Sequence, residues 1–403
     1  MGKKFLLTMF LFVLCLVFAG AALATNGSNL IGVGPISRSM GGVGVAAPQD
    51  SISAIFANPA AMCFGAYCPG SEATFSGTYF NPTVNGTVDT TGMGGSSVTE
   101  KSQMNYFLVP AIGITSPITD RLRIGFGAYG FTGMGVDYKD KSSQVFGDLY
   151  TKLEVMKFAP NIAYLITPDL SVGASVHVDY GNLDLGSGSA HDYALGLQLG
   201  ALYHKGIFNF GLSYITPQKV SHDRVADFDG DGKFDNLDLQ GPQSVVFGVS
   251  ATPLNNLLLE FNVKWYNWSS ADGYEDFDWD DQWVYAIGGQ YKMGAFSLRA
   301  GFNYSKNPVN THDGFNPQGT TNVQGKNVPT MNYEFLRIIG FPAVVEKHLT
   351  LGIGYELPIN MSINLSYMHA FEETIEETSA GGAVKLSSSL EEDSLTLGIT
   401  WRF

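Results

Sequence analysis

The feature that most constrains this chain is a period of two. Tyr193, Leu195, Leu197, Leu199, Ala201 and Tyr203 alternate with Ala194, Gly196, Gln198, Gly200 and Leu202. Leu349, Leu351, Ile353, Tyr355 and Leu357 are interleaved with Thr350, Gly352, Gly354 and Glu356. Leu395, Leu397, Ile399, Trp401 and Phe403 are interleaved with Thr396, Gly398, Thr400 and Arg402. Alternation at this period means a strand with one apolar face and one small or polar face. In a water-soluble sandwich the apolar face would point inward, and periodicity alone does not separate the two cases. The rest of the chain does. No stretch after residue 24 approaches about 18 consecutive apolar residues, so no helix is expected to span a membrane. Charged residues make up only 15%, against about 25% in an ordinary soluble domain. Few charges, many aromatics and no spanning helix point to an all-β, antiparallel transmembrane β-barrel.

The amino-terminal residues fit export. Lys3 and Lys4 precede an apolar run over Phe5–Phe18, and Ala22-Leu23-Ala24 gives a small-x-small cleavage site. Residues 1–24 therefore read as a signal peptide, with the mature chain starting at Thr25. Cys15 lies in the apolar run behind Leu14, which disfavours lipidation. Setting the first 24 residues aside leaves 21 basic and 37 acidic residues, a net charge of −16. That balance excludes nucleic acid as a partner and fits acidic loops facing water. Cys63 and Cys68 flank a short Phe-Gly-Ala-Tyr turn, and an oxidising compartment favours a disulfide between them.

From residue 71 the alternating runs number fourteen, near 71–85, 101–117, 121–136, 152–167, 170–183, 190–204, 206–220, 242–253, 256–269, 281–293, 295–306, 347–357, 360–371 and 391–403. Short turns such as Thr167-Pro168-Asp169 and Met293-Gly294 alternate with long loops, the longest near 307–346. Short turns on one side and long loops on the other are the signature of an outer-membrane barrel. Residues 25–70 precede it. Their start, Thr25–Met62, is rich in Gly, Ala and Ser and nearly free of charge. Such a stretch suits a plug, or hatch, packed inside a lumen.

The plug with Asn58-Pro59-Ala60, the fourteen-strand pattern, Phe341–His348 before the twelfth strand and the terminal Trp401-Arg402-Phe403 together resemble the FadL-type outer-membrane transporters of long-chain fatty acids. The resemblance spans residues 25–403. It implies a Gram-negative outer-membrane barrel over 71–403 that takes up hydrophobic small molecules passively, without an enzymatic step. Long-chain fatty acids are the first expectation. Aromatic hydrocarbons, or a general porin with an open aqueous lumen, are the alternatives. Outer-membrane lipid and lipopolysaccharide are the expected surroundings, and Phe403 is the expected signal to the barrel-assembly machinery.

Two stretches stand out within this frame. Strand three carries Gly125, Gly127, Gly130, Gly133 and Gly135, and its neighbours carry Pro110 and Pro160. Proline cannot donate a ladder hydrogen bond, and strand glycines mark bends. The bland reading is room for the plug. The resemblance implies an inward kink that opens the wall sideways. Asn58, with donors and an acceptor to offer to backbone that such a kink leaves unpaired, is expected to contact strand three near Gly127 to Gly130. The second stretch places Asp227, Asp229, Asp231, Asp235 and Asp238 at positions 1, 3, 5, 9 and 12, with Gly232 at 6. This is the ligand spacing of a calcium loop, here between strands, and a structural Ca²⁺ is expected there. Other acidic clusters, Asp272–Asp281, Glu372–Glu377 and Glu391–Asp393, read as solvated outer loops or strand ends. Arg123, Glu260, Lys264, Arg299 and Glu356 are expected to face inward, where Lys264 or Arg299 could hold a ligand carboxylate. Gly41-Gly42-Val43-Gly44 follows no strand, and the seven histidines lack metal-protease spacing. No enzyme signature emerges.

Overall fold

The computed structural model describes residues 25–63, 70–141 and 143–403. The expected signal peptide, residues 1–24, and Cys68 lie outside them. Fourteen antiparallel strands form a closed ring. They are β1 (Glu72–Asp89), β2 (Phe107–Pro117), β3 (Leu122–Asp137), β4 (Tyr150–Thr167), β5 (Leu170–Asp184), β6 (Ser189–Lys205) and β7 (Phe208–Ile215). The second half comprises β8 (Ser244–Leu254), β9 (Leu257–Tyr266), β10 (Gln282–Met293), β11 (Phe296–Ser305), β12 (Lys347–Leu357), β13 (Met361–Thr378) and β14 (Lys385–Arg402). Pairing of β14 with β1, from Arg402 opposite Glu72 to Lys385 opposite Asp89, closes the ring and leaves no sheet edge.

The alternation decides which way each strand faces. Leu195, Leu197 and Leu199 are exposed while Gln198 is buried. Phe75, Tyr79, Trp283, Ile287, Leu351 and Trp401 continue the apolar outer face around the ring. This inverts the arrangement of a soluble sandwich. A few boundaries differ from expectation. Strand two starts at Phe107 and not at 101, while Ser97–Lys101 pairs with Asn85–Asp89 and lengthens the β1 hairpin outward. Strand seven stops at Ile215, and Gln218–Ala226 instead pairs with Asp235–Gly241 in a separate hairpin. Glu373–Thr378 and Glu391–Asp393 lie in paired strand rather than in loops. β1, β13 and β14 run on past the apolar belt, where the solvent side is polar and the period fades.

Residues 25–62 are almost entirely buried. They form a short hairpin of Thr25–Asn26 with Asn29–Leu30, helix α1 (Pro35–Ser39), helix α2 (Ser51–Ala57) and a 3-10 turn over Pro59–Cys63. Asp50 caps α2 by accepting from the Ser53 amide at 2.9 Å. The segment packs so closely on the inner faces of the strands that side chains would not fit at several points. A Cβ at Gly211 of β7 would stand 2.2 Å from the Val45 carbonyl oxygen, and one at Gly301 of β11 would stand 2.2 Å from the Gly41 nitrogen. Outer-loop residues Trp268, Tyr274, Trp279, Tyr333 and Ile338 are buried in one cluster with Leu30 and Ile31 of the N-terminal segment and with strand residues such as Val84 and Met368.

Candidate functional site

The ladder between β2 and β3 is incomplete. It runs from Pro117 opposite Arg123 to Ala111 opposite Tyr129, then stops, although both strands continue. The next pair would be Pro110 with Gly130. Pro110 has no N–H to give, and it already stands opposite Gly77 of β1. On the other side of β3 the register shifts between Gly130 and Thr132, so Phe131 is bulged. Farther down, Pro160 stands opposite Phe126, and the β4–β5 ladder skips from Phe158 to Asn161. Three adjacent strands are thus weakened within a short height, as the glycine and proline positions suggest.

The N-terminal hairpin occupies part of this gap. Asn29 pairs with Thr132 where β2 does not, and the Gly133 amide donates to the Ser28 carbonyl at 3.1 Å. The Thr132 hydroxyl donates to the Asn29 side-chain oxygen. Two spaces flank the hairpin. An inner cavity is lined by Phe56, Tyr129, Lys157, Lys264 and Tyr266 among others. A larger outer groove passes Tyr106, Leu108, Pro110, Gly130 and Met156. Leu30 and Phe131 line both spaces and so form the partition between them.

The two inner cations expected to meet a ligand are separated. Lys264 lines the cavity. Its ammonium lies 3.2 Å from the Tyr266 hydroxyl and 5.9 Å from the Phe56 ring centre, and it makes no ion pair with a described residue. Arg299 lines neither space, and its guanidinium donates to Gln290 at 2.6 Å and Asn364 at 2.9 Å. Lys157, which the sequence did not single out, also lines the cavity, but it is paired with Asp179 at 3.1 Å. Lysine in an interior strand was visible in the sequence; its partner one strand away was not.

Asn58 does not reach strand three. Its amide donates to the Val45 carbonyl at 2.9 Å and to the Ala201 carbonyl of β6 at 3.0 Å. The expected contact near Gly127 to Gly130 is therefore corrected. Ile55 of α2 takes that place, since a Cβ at Gly127 would stand 2.7 Å from its Cγ2. Pro59 and Ala60 pack against Gly173 of β5 and Gly200 of β6. Gly130 serves β2 instead, with the Val109 side chain 2.7 Å from where its Cβ would be. Glu260 faces inward as expected, but its partners are backbone. It accepts from Gly44 at 3.0 Å, Ala46 at 2.9 Å and Ala47 at 3.1 Å.

Of the five aspartates at calcium-loop spacing, three converge. Asp227, Asp229 and Asp235 bring carboxylate oxygens within 4.8 Å of one another. Asp231 turns to Lys233 at 3.0 Å, and Asp238 turns to Lys219 at 2.8 Å. The Lys326 ammonium, from the hairpin Thr320–Val323 with Lys326–Pro329, lies 2.5 Å from Asp235 and 3.6 Å from Asp229. It supplies positive charge where the spacing assigns a metal ion. The Cys63–Cys68 pairing falls outside the described residues.

A family model described as outer membrane protein transport protein (OMPP1/FadL/TodX) matches residues 15–221. The crystal structure of the Pseudomonas putida toluene transporter TodX superposes with a TM-score of 0.68 at 18% identity, covering 92% of this chain and 99% of that one. A Pseudomonas aeruginosa FadL homologue gives a TM-score of 0.68 at 16% identity, covering 96% and 100%. The Ralstonia pickettii toluene transporter TbuX gives 0.60 at 17%, covering 92% and 98%. At these identities the likeness speaks to fold alone. No curated protein sequence matches the chain.

Proposed function

We infer that this chain, which belongs to the OMPP1/FadL/TodX family of outer-membrane transport proteins, is a passive channel for hydrophobic small molecules with long-chain fatty acids as its substrate class. The observation that carries the substrate class is Lys264, an ammonium without an ion pair to a described residue, set against aromatic rings in an interior cavity. A lone ammonium at an apolar wall suits a ligand with one carboxylate and a long hydrocarbon tail. Residues 25–63 act as a plug that closes the axial path. Ligand enters among the outer loops, rests in the cavity, and leaves sideways where β2 and β3 part, once Leu30 and Phe131 move aside. Each CH₂ kept out of water is worth about 0.8 kcal/mol, so a long acyl chain gains by passing straight into lipid.

A neutral aromatic hydrocarbon is the second reading, favoured by the rings of Phe56, Tyr129, Phe131 and Tyr266 around the same cavity. It needs no cation. Equilibrium binding of a long-chain fatty acid and of toluene to the purified protein separates the two. Lys264→Met is expected to weaken fatty-acid binding about ten-fold, in the range of a hydrogen bond to a charged group, and to leave toluene binding unchanged. Equal losses for both ligands would sink the carboxylate role, and binding of neither would sink the transport reading.

A further inference from the structure

Glu392 of β14 faces the interior and is 3% exposed. Its carboxylate accepts from the Thr25 hydroxyl, with the two oxygens at 3.2 and 3.5 Å. The Thr25 backbone nitrogen is turned to the same carboxylate. No lysine or arginine among the described residues forms an ion pair with Glu392. Arg38 acts on it through space, but its guanidinium donates to the Gly32 carbonyl at 3.0 Å and the Ser394 hydroxyl at 2.9 Å rather than to Glu392. An unpaired buried carboxylate costs several kcal/mol. Something should meet its charge.

We propose that the directly bonded cation is the chain's own processed N-terminus: cleavage between Ala24 and Thr25 frees an α-ammonium that pairs with Glu392 inside the barrel. Two independent observations coincide on this one residue. Ala22-Leu23-Ala24 places the scissile bond directly before Thr25. The fold buries Thr25 against a carboxylate that makes no ion-pair contact with a lysine or arginine among the described residues. Hydrolysis of the Ala24–Thr25 peptide bond by a signal peptidase adds water across it, giving a carboxylate on Ala24 and a protonated amine on Thr25. The neutral amide N–H of the precursor thus becomes a charged donor, and the bond to Glu392 becomes charge-assisted. Thr25 opens the hairpin whose Asn29 pairs with Thr132, so processing would fix the hairpin beside β3. A new N-terminus one residue earlier or later would miss Glu392 by about 3.5 Å. The inference does not depend on what the channel carries.

The test is amine reactivity of the mature, folded protein. After brief acetylation with a water-soluble amine reagent, mass spectrometry of the N-terminal peptide reports on Thr25, and Lys233, with its side chain 82% exposed, serves as reference. Retarded migration of the unheated barrel on a gel reports folding. The mature chain is expected to begin at Thr25, with an α-amine that reacts far more slowly than Lys233. Glu392→Gln, which keeps the shape and removes the charge, is expected to raise the Thr25 rate about ten-fold, equivalent to about 1.4 kcal/mol. A chain with one alanine inserted after Ala24 should show fast labelling whether or not Glu392 is changed. A mature chain starting elsewhere, a native amine as reactive as Lys233, or a Glu392→Gln rate equal to the wild-type rate in folded protein would each overturn the proposal.

Discussion

His312 ties together two outer loops. Its Nδ1 lies 2.8 Å from Glu334, its Nε2 lies 2.7 Å from Asp278, and its ring stacks on Tyr333. Arg337, buried beside it, donates to Glu334 at 2.9 Å and to the Phe277 and Asn310 carbonyls at 3.1 and 3.0 Å. The hydrogen bond to Glu334, helped by Asp278, holds the His312 imidazolium above the usual histidine range. A folded-state pKa raised above the unfolded value contributes stability that is complete below about pH 6.5 and is lost as pH rises through the folded pKa. Amide exchange across 307–346, corrected for intrinsic rate, should therefore quicken several-fold as pH rises above that range. His312→Gln should flatten the profile, and a flat wild-type profile would count against the bridge. Nothing in the sequence flagged this histidine. Its three charged neighbours are 22 to 34 residues away or come through Arg337, and only the folded loops bring them together. Glu260 is similar. It was legible as an inward charge, yet its partners are three amides more than 200 residues distant.

The elements divide by how local their cause is. β6, β12 and β14 follow from their own alternation, and the short turns between strands follow from proline and glycine. The gap between β2 and β3 was half legible: Pro110, Pro160 and the strand-three glycines mark where pairing fails. What fills the gap was not, because the Thr25–Leu30 hairpin reaches Thr132 across more than 100 residues. The structure also divides the two glycines that looked equivalent. Gly127 makes room for Ile55 of α2, whereas Gly130 faces Val109 of β2. Gly130→Leu is therefore the cleaner obstruction, and it should cut fatty-acid uptake by cells about ten-fold or more, with the barrel still heat-modifiable on gels, because the new side chain fills the bulge where the wall parts. Gly127→Leu should disturb α2 as well. Normal uptake in a folded Gly130→Leu protein would remove the lateral route.

On the scale of the whole molecule, the reading of a closed channel rests on residues 25–63 packing against the inner faces of strands from β2 to β14. A barrel without them would hold an aqueous path. Deleting residues 25–62 should raise single-channel conductance in planar bilayers severalfold, as an unfilled lumen conducts like a pore. Unchanged conductance would favour another path for ions and weaken the plug. The sequence by itself determined the all-β class, the number of barrel strands, the outward apolar face and the separate N-terminal segment, since each rests on local patterning or on the absence of a helical span. Only the tertiary structure decided which interior charges are paired and by what. Asn58 went to β6 and not β3, Arg299 to Gln290 and Asn364, and Lys326 to the aspartates of the calcium-like loop. The physical reason is the same in each case. A period of two fixes which face a side chain takes, but in a closed ring the partner on that face is set by strand order and register around the whole circumference, and by how the N-terminal segment is folded inside it.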